Sequence, residues 1–274
     1  MKKILKFSLL LLLSLSITAC INIFKRTDLR PENISEMSNE TKARQLLKEM
    51  GEAHHIEVWD KMETYNVIFG EEFYGSLGER GNPFSEPKME LSMNYIPKTF
   101  NGTLEVLSGK DKGDKWGIQN WKTYEVSSEG IEEKKNKDMI FWIPTYQYFI
   151  EFPLRIQEAT AVEYLGSKQI NGVEVEGVLA SWNTVEPQKD IDQYIVWMNK
   201  ETKRIVKIEY TVRDMFRFIT GAAYFNNYKE FDGVLLPTEF PVESNLLREG
   251  YLHKMSIKEF HLNPLKKEDL LPLK

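Results

Sequence analysis

The sequence predicts a mainly β protein in which one curled antiparallel sheet is covered by short helical segments. Apolar and polar residues alternate along many short stretches, such as residues 89–95, as in strands with one buried face. Tight turn signals, including Asn101–Gly102 and Asp232–Gly233, separate these stretches and favour antiparallel hairpins over crossover connections. A strongly aromatic segment, residues 139–156, interrupts the series of strands and is too apolar to lie in water.

The chain begins with a predicted signal peptide over residues 1–19. A basic start is followed by an apolar stretch, residues 7–19, which is shorter than the roughly 20 residues that a transmembrane helix needs. The ending Ile-Thr-Ala-Cys resembles the lipobox of bacterial lipoproteins, in which cleavage leaves a lipidated cysteine, here Cys20, at position one. The alternative is an ordinary signal peptide with a chance cysteine. Cys20 is the single cysteine of the chain, which favours lipidation and excludes a disulfide within the chain.

Residues 20–38 are predicted to be a lipidated cysteine and a polar tether, and residues 39–274 one domain. Cleavage before Cys20 leaves 255 residues and removes three lysines, which takes the formal charge from -5 to -8. Such an acidic chain is not expected to bind nucleic acid. The remaining length fits one large antiparallel β domain or two small ones.

The domain is predicted to start with a helix over residues 39–54, capped by Ser38 or Asn39. Its apolar residues recur at three- and four-residue spacing, at Ala43, Leu46, Leu47 and Met50. About eleven strands follow, near residues 58–69, 87–96, 102–108, 115–126, 161–168, 173–183, 191–198, 203–213, 221–230, 234–241 and 250–261. Within residues 173–182 the apolar phase slips by one position at Gly177, which predicts a β-bulge there.

Two further segments are not predicted to be strands. In residues 139–156, Pro144 and Pro153 bracket a short helix at most, which either plugs the sheet or covers a pocket. The glycines of residues 75–81 do not have the spacing of a dinucleotide-binding loop, so this segment is predicted to be a mobile loop.

The sequence lacks the familiar catalytic motifs, including Gly-x-Ser-x-Gly, His-Glu-x-x-His, a phosphate-binding loop and a cysteine pair for zinc. We therefore expect no enzyme, no cofactor and no metal. His54 and His55 lie near a predicted helix end, where an imidazolium would interact favourably with the helix dipole. His253 and His261 are predicted to share one face of the last strand as core histidines bonded to backbone, and they are the residues an enzyme would use.

The acidic candidates have structural interpretations. Asp190 and Asp192 precede a strand but lack the further oxygen ligands of a calcium loop, so a solvated turn is predicted. Glu174 and Glu176 alternate with apolar neighbours and are predicted to lie on a solvent face rather than to form a catalytic carboxylate pair.

The remaining indication from the sequence is a surface that binds apolar groups. The chain contains six Trp, twelve Tyr, fifteen Phe and ten Met, and flexible thioethers suit irregular apolar ligands. These residues either fill the core or line a cavity between the sheet and its cover. The predicted wall residues are Trp142, Phe149 and Phe152 in the cover and Met89, Leu91, Met93, Trp182 and Trp197 in the sheet.

Two segments resemble the outer-membrane lipoprotein-sorting superfamily, which has the LolA/LolB-like fold. Residues 193–210 are similar to one of its hairpins, with an Asn-Lys-Glu-Thr turn, and residues 224–237 resemble a second one that ends in Asp-Gly-Val-Leu-Leu-Pro. The resemblance spans residues 40–262 and implies an eleven-stranded half-barrel whose concave side is closed by helices, here residues 39–54 and 139–156. Known members hold acyl chains or lipoproteins in an apolar cavity. The superfamily includes a soluble carrier protein, but no residue that gates its cavity can be matched to a position in this sequence.

The lipobox and this resemblance imply a membrane-anchored envelope lipoprotein that binds an acyl chain, lipid or lipoprotein and acts as a monomer. The alternative is a structural lipoprotein with a filled core that binds a protein partner through residues 70–86. Ile21 follows Cys20 in place of the Asp that tends to retain lipoproteins at the inner membrane. We therefore expect the outer membrane and its periplasmic face or, in a host with one membrane, the outer face of that membrane.

Overall fold

The computed structural model describes residues 29, 39–213 and 218–273. The predicted signal peptide, Cys20 and nearly all of the tether lie outside the described residues. Within those described ranges, no helix is long and apolar enough to cross a membrane.

The described strands form one curled, unclosed antiparallel sheet, which confirms the predicted fold class. The sheet contains fourteen strands in the order β6-β5-β4-β3-β2-β1-β14-β13-β11-β10-β9-β8-β7, with β12 paired to β13. The strand bounds are β1 Tyr65–Phe73, β2 Lys88–Tyr95, β3 Gly102–Val106, β4 Lys115–Gln119, β5 Lys122–Ser127, β6 Gly130–Glu133, β7 Ala161–Ile170, β8 Val173–Ser181, β9 Tyr194–Asn199, β10 Ile205–Thr211, β11 Thr220–Tyr224, β12 Asn226–Phe231, β13 Val234–Ser244 and β14 His253–Leu262.

Three local features explain why fourteen strands replace the predicted eleven. The predicted strand 115–126 is a hairpin, because Asn120 and Trp121 take positive φ values of 49° and 64° and turn the chain between β4 and β5. The predicted strand 221–230 divides into β11 and β12. Strand β6 was not predicted, because all four of its residues are exposed and its sequence does not alternate between buried and exposed positions. The first half of the predicted strand 58–69 is a 3-10 helix, Ile56–Lys61.

The first helix is confirmed, whereas two other segments differ from prediction. Helix α1, Glu40–Ala53, is capped by Asn39, whose side chain accepts a hydrogen bond from the Lys42 N–H at 2.9 Å. Residues Gly75–Gly81 form a short helix, α2, and not a loop. Gly78 lies so close to Leu252 that a Cβ would be 2.3 Å from its carbonyl oxygen.

The aromatic segment is more helical than its prolines predict. Helix α3, Met139–Ile150, continues through Pro144, and the single turn α4, Phe152–Arg155, and a 3-10 turn, Ile156–Glu158, follow it. Proline normally costs an interior helix about 3 kcal/mol. Here Pro144 is buried together with Ile143, so tertiary packing outweighs the unfavourable propensity.

The predicted bulge lies on the neighbouring strand. Tyr164 of β7 pairs with Val178 and Ser167 pairs with Glu176, so two residues of β7 lie opposite Gly177 of β8. The apolar phase slips in β8 because both faces of this strand are buried, not because β8 itself bulges.

Each face of this part of the sheet therefore has its own core. Val178 and its inward neighbours join the main core between the sheet and the helices. A second cluster on the opposite face contains Val175, Leu179, Ile195 and Trp197, and Leu29 of the tether packs against it.

Candidate functional site

The candidate site is the space between the concave face of the sheet and the helices that cover it. Helix α3 packs across β3, β4 and β5, while α1 packs on β7 and β8. The Tyr95 hydroxyl of β2 donates to the Ile143 carbonyl at 2.7 Å, and the Tyr146 ring lies 5.0 Å from the Phe69 ring of β1. Side chains from the sheet and the cover thus meet directly.

Five of the eight predicted wall residues lie in this interior. Met89, Leu91 and Met93 of β2 are at most 4% exposed, as the two-residue alternation predicts. Phe152 is fully buried, and Trp142 is 8% exposed with its indole N–H donating to the Gly81 carbonyl at 3.1 Å.

The other three wall residues differ in position. Phe149 and Trp182 are half-buried at the margin of the core, with ring centroids 5.4 Å from Tyr210 and 6.2 Å from Tyr194 respectively. Trp197 faces away from the cover, beneath the Lys168 ammonium at 3.6 Å, and belongs to the second cluster. The prediction placed Trp197 on the wrong face of the sheet, because both faces of β9 are apolar.

Side chains of the cover fill the centre of this space. The Phe152 ring has centroids of Tyr148, Tyr194 and Phe225 within 5.7 to 6.1 Å. An apolar ligand would therefore have to displace cover side chains, because the concave face and the cover already pack against each other.

A buried polar group joins the cover to the sheet at the end of α3. The Glu151 carboxylate accepts hydrogen bonds from the Tyr65 hydroxyl at 2.9 Å, the Gln147 amide at 2.7 Å and the Lys98 backbone N–H at 3.0 Å. The Arg155 guanidinium pairs with it at 2.8 Å. Burial raises the pKa of Glu151 despite this cation. The four-residue spacing of Glu151 and Arg155 in an apolar segment was the available sequence signal.

A second buried carboxylate lies under the other end of α3. Glu71 of β1 is fully buried, and its Oε1 is 2.7 Å from Nδ1 of His253, whose ring stacks on Phe73. The Oε2 of Glu71 and the hydroxyl of Tyr146 have no hydrogen-bond partner among the described atoms. Burial raises the pKa of Glu71, against the effect of the nearby histidine.

The histidine predictions need correction. His54 is buried, its Nδ1 lies 2.7 Å from the Met50 carbonyl, and burial lowers its pKa to about 4, so it is neutral and not a dipole-stabilised imidazolium. His253 contacts a carboxylate rather than backbone. His261 is exposed and does not lie on the same face of β14 as His253. A bulge at Lys258 lies between the two histidines and reverses which residues point inward.

Of the two glutamates predicted to face solvent, one is exposed and the other is buried. Glu174 is exposed, as predicted, but Glu176 is 7% exposed and pairs with Lys42 and Lys203, each at 3.1 Å. Although burial acts to raise the pKa of Glu176, the lysine hydrogen bonds lower it overall.

Asp192 is a structural residue, since its carboxylate accepts bonds from the Thr211 hydroxyl and the Arg213 N–H, both at 2.8 Å. Over the described ranges, no three His, Cys, Asp or Glu side chains form a group that could hold a metal ion.

Comparisons with solved structures show the fold. No family model and no curated protein matches the chain. A LolA superfamily protein from Nitrosomonas europaea is 10% identical with a TM-score of 0.53, over 83% of this chain and 96% of that one. A putative outer membrane lipoprotein-sorting protein domain from Vibrio parahaemolyticus is 13% identical with a TM-score of 0.54, over 85% and 97%. A DUF1329 family protein from Desulfovibrio piger is 10% identical with a TM-score of 0.54, over 86% and 98%. The chain therefore has a LolA/LolB-like fold.

Proposed function

We propose that this protein is a membrane-anchored envelope lipoprotein that binds an acyl chain or a similar apolar ligand between its curled sheet and its helical cover. The role is one of binding and not of catalysis. The fold supports the proposal, since a solved structure with the same fold is described as a putative lipoprotein-sorting domain.

The observation that carries the proposal is that α3 is apolar on both of its sides. Its inner side is buried in the core, while Ile140 is 37% exposed on the outer side and Phe141 and Phe149 are half-buried at the margin of the core. A helix that permanently covers a core normally presents polar residues to water. An apolar outer face instead suits a cover that exchanges one set of apolar contacts for another.

The attachment of the cover is compatible with such an exchange. Helix α3 is held by side-chain packing and a few hydrogen bonds, such as Gln147 to the Ile96 carbonyl at 3.0 Å, and not by a β-ladder. The displaced contacts are apolar, and an acyl chain in the same space would replace them with contacts of the same kind, at about 0.8 kcal/mol per buried methylene.

Native mass spectrometry tests the proposal. The chain from Ile21 onward, secreted behind an ordinary signal peptide and purified without detergent, should retain a lipid adduct that organic extraction removes. Phe152→Ala should raise ligand occupancy, because it enlarges the space under the cover. Trp197→Ala is the matched control, since it makes its cavity on the opposite face of the sheet. Failure to retain any ligand in both the unmodified chain and Phe152→Ala would contradict the proposal.

A second candidate function is favoured by the filled interior. If the cover never moves, the protein is an interaction lipoprotein that presents its surface to a partner protein. The exposed side chains of α2, Glu79 and Arg80, lie in the predicted partner-binding segment. Reversing both charges should then abolish partner capture in a pull-down while ligand retention is unchanged.

The proposed location is the periplasmic face of the outer membrane, with acyl chains on Cys20. Cell fractionation should find the protein in the outer membrane. Ile21→Asp should shift it to the inner membrane, and replacing Cys20 with Ala should eliminate the acyl groups. An unchanged distribution of both variants would contradict this location.

A further inference from the structure

Five aromatic side chains form a continuous row at one end of the half-barrel. The row consists of Trp121, Phe100, Tyr148, Tyr194 and Trp182, and neighbouring ring centroids are 5.4, 6.4, 5.6 and 6.2 Å apart. Four of the rings are half-buried, while Trp121 is 59% exposed. This aromatic row therefore extends from the core to the surface.

The twist of the sheet explains why distant segments meet there. Phe100 lies in the turn after β2, whereas Tyr194 begins β9, six strand positions away along the sheet. Neighbouring strands rotate by about 20–25°, so six steps give roughly 120–150° of rotation. The end of β2 and the start of β9 consequently approach each other, and Tyr148 of α3 bridges them.

Trp121 is an unusual residue for its position. It is the second residue of the tight β4–β5 turn and has a φ of 64°, a conformation for which such turns prefer glycine. The turn geometry therefore does not explain a large exposed indole. Within the described ranges, the C-terminal segment adds apolar surface beside it, because Leu273 exchanges two hydrogen bonds with Gln119 and Leu271 is 37% exposed.

The tether reaches the domain at the same end. The Leu29 N–H donates to Oε1 of Gln193 at 3.2 Å, and Gln193 directly precedes Tyr194 of the aromatic row. Nine residue steps separate Leu29 from Cys20, which corresponds to about 30 Å at full extension. A domain of this size has a radius of gyration of about 17 Å, hence a diameter of about 45 Å. The tether is too short to let the domain turn its opposite end to the anchor.

We infer that the end of the half-barrel carrying the aromatic row is a lipid-facing surface that rests on the bilayer to which Cys20 is anchored. The inference uses the proposed acyl anchor, but not the proposed ligand. Trp121 supplies the exposed ring of this surface, whereas the Tyr148 hydroxyl is buried. Trp favours the membrane interface, where one part of the ring is apolar and the other is hydrated. The exposed cations nearby, Lys98 and Lys122, are each paired with an acid, so a zwitterionic lipid surface is the expected partner.

Quenching by brominated lipid tests the inference. The full lipidated chain, with its acyl groups verified by mass, is reconstituted into phosphatidylcholine vesicles with and without brominated phosphatidylcholine. Tryptophan emission should be quenched, and Trp121→Phe should lower the quenched fraction at least twofold. Trp197→Phe is the matched control and should leave the quenched fraction unchanged, because Trp197 is 6% exposed on the opposite face of the sheet.

The outcomes separate this surface from the ligand site. Quenching that is lost in Trp142→Phe but unchanged in Trp121→Phe would place lipid under the cover, which supports the proposed function and overturns the lipid-facing surface. Vesicle-bound protein without quenching would overturn the surface as well. If mass measurement shows that the mature chain carries no acyl groups, the protein has no anchor and the lipid-facing surface is overturned. Trp121→Phe should fold normally, since this side chain lies at an exposed turn.

Discussion

The buried Glu151 carboxylate should be a main attachment between the cover and the sheet, and Glu151→Ala tests this. The substitution leaves Arg155, whose side chain is 11% exposed, without its acid at 2.8 Å. It also removes the acceptor of the Tyr65 hydroxyl and the Lys98 N–H. Breaking a buried ion pair by deleting one partner costs about 3–5 kcal/mol. We therefore expect the free energy of unfolding to fall by about 4 kcal/mol.

Urea unfolding of the secreted chain, followed by circular dichroism, measures this loss. The matched control is Glu174→Ala, since Glu174 pairs with Lys200 at 2.6 Å while both side chains are about half exposed. Its cost should be below about 1 kcal/mol. Combining Glu151→Ala with Arg155→Met should recover at least about 2 kcal/mol, because no unpaired charge remains buried.

The pH dependence gives an independent check. Since the folded-state pKa of Glu151 is raised, the folded protein binds the proton more tightly, and stability falls as pH rises from 4.5 through the folded pKa. Glu151→Gln should reduce this slope without abolishing it, because Glu71 titrates in the same direction. If Glu151→Ala costs no more than Glu174→Ala, the carboxylate does not hold the cover and the reasoning is refuted.

Three further predictions concern other parts of the structure. The pKa of His54 is about 4 in the folded protein and 6.5 in an unfolded chain. The free energy of unfolding should therefore fall by about 3 kcal/mol as pH drops from 6.5 to 4. In His54→Gln, the urea concentration at the unfolding midpoint should depend less on pH over that range. Gly177→Ala should cost about 1–3 kcal/mol in the same assay, because its Cβ would lie 2.4 Å from the Trp197 ring, whereas Gly81→Ala, with no atom within 4 Å, should be neutral or slightly stabilising. Phe152→Ala should lower stability by about 3–5 kcal/mol, and a loss below about 1 kcal/mol would contradict its central place in the core.

Much of the fold could be predicted wherever one face of an element is buried. The alternation in β2 gave the correct inward residues, Met89, Leu91 and Met93, and the spacing of apolar residues gave α1. The same reasoning failed in β8 and β9, where a second cluster buries the outer face as well. Alternation divides a strand into two faces, but it does not reveal which of them another element covers.

The site was predicted less completely, because its features depend on distant contacts. Glu176 has the alternation of a solvent-facing residue, yet α1 brings Lys42 to it, and the Glu176 side chain is 9% exposed while that of Lys42 remains 42% exposed. Pro144 and Pro153 were expected to bracket a short helix, but α3 continues through Pro144 because burial outweighs the unfavourable helix propensity of proline. The meeting of Phe100 with Tyr148, and through it with Tyr194, follows from the accumulated twist of the sheet, which no local pattern contains.

The central claim is that an apolar ligand enters between the sheet and the cover, and hydrogen exchange tests it most directly. Amide exchange of the delipidated secreted chain would be measured with and without palmitate. If the ligand enters there, exchange rates should change at least threefold in residues 139–156 and remain constant in residues 173–199, where the second cluster packs on the outer face. No change in either segment, or an equal change in both, would contradict it.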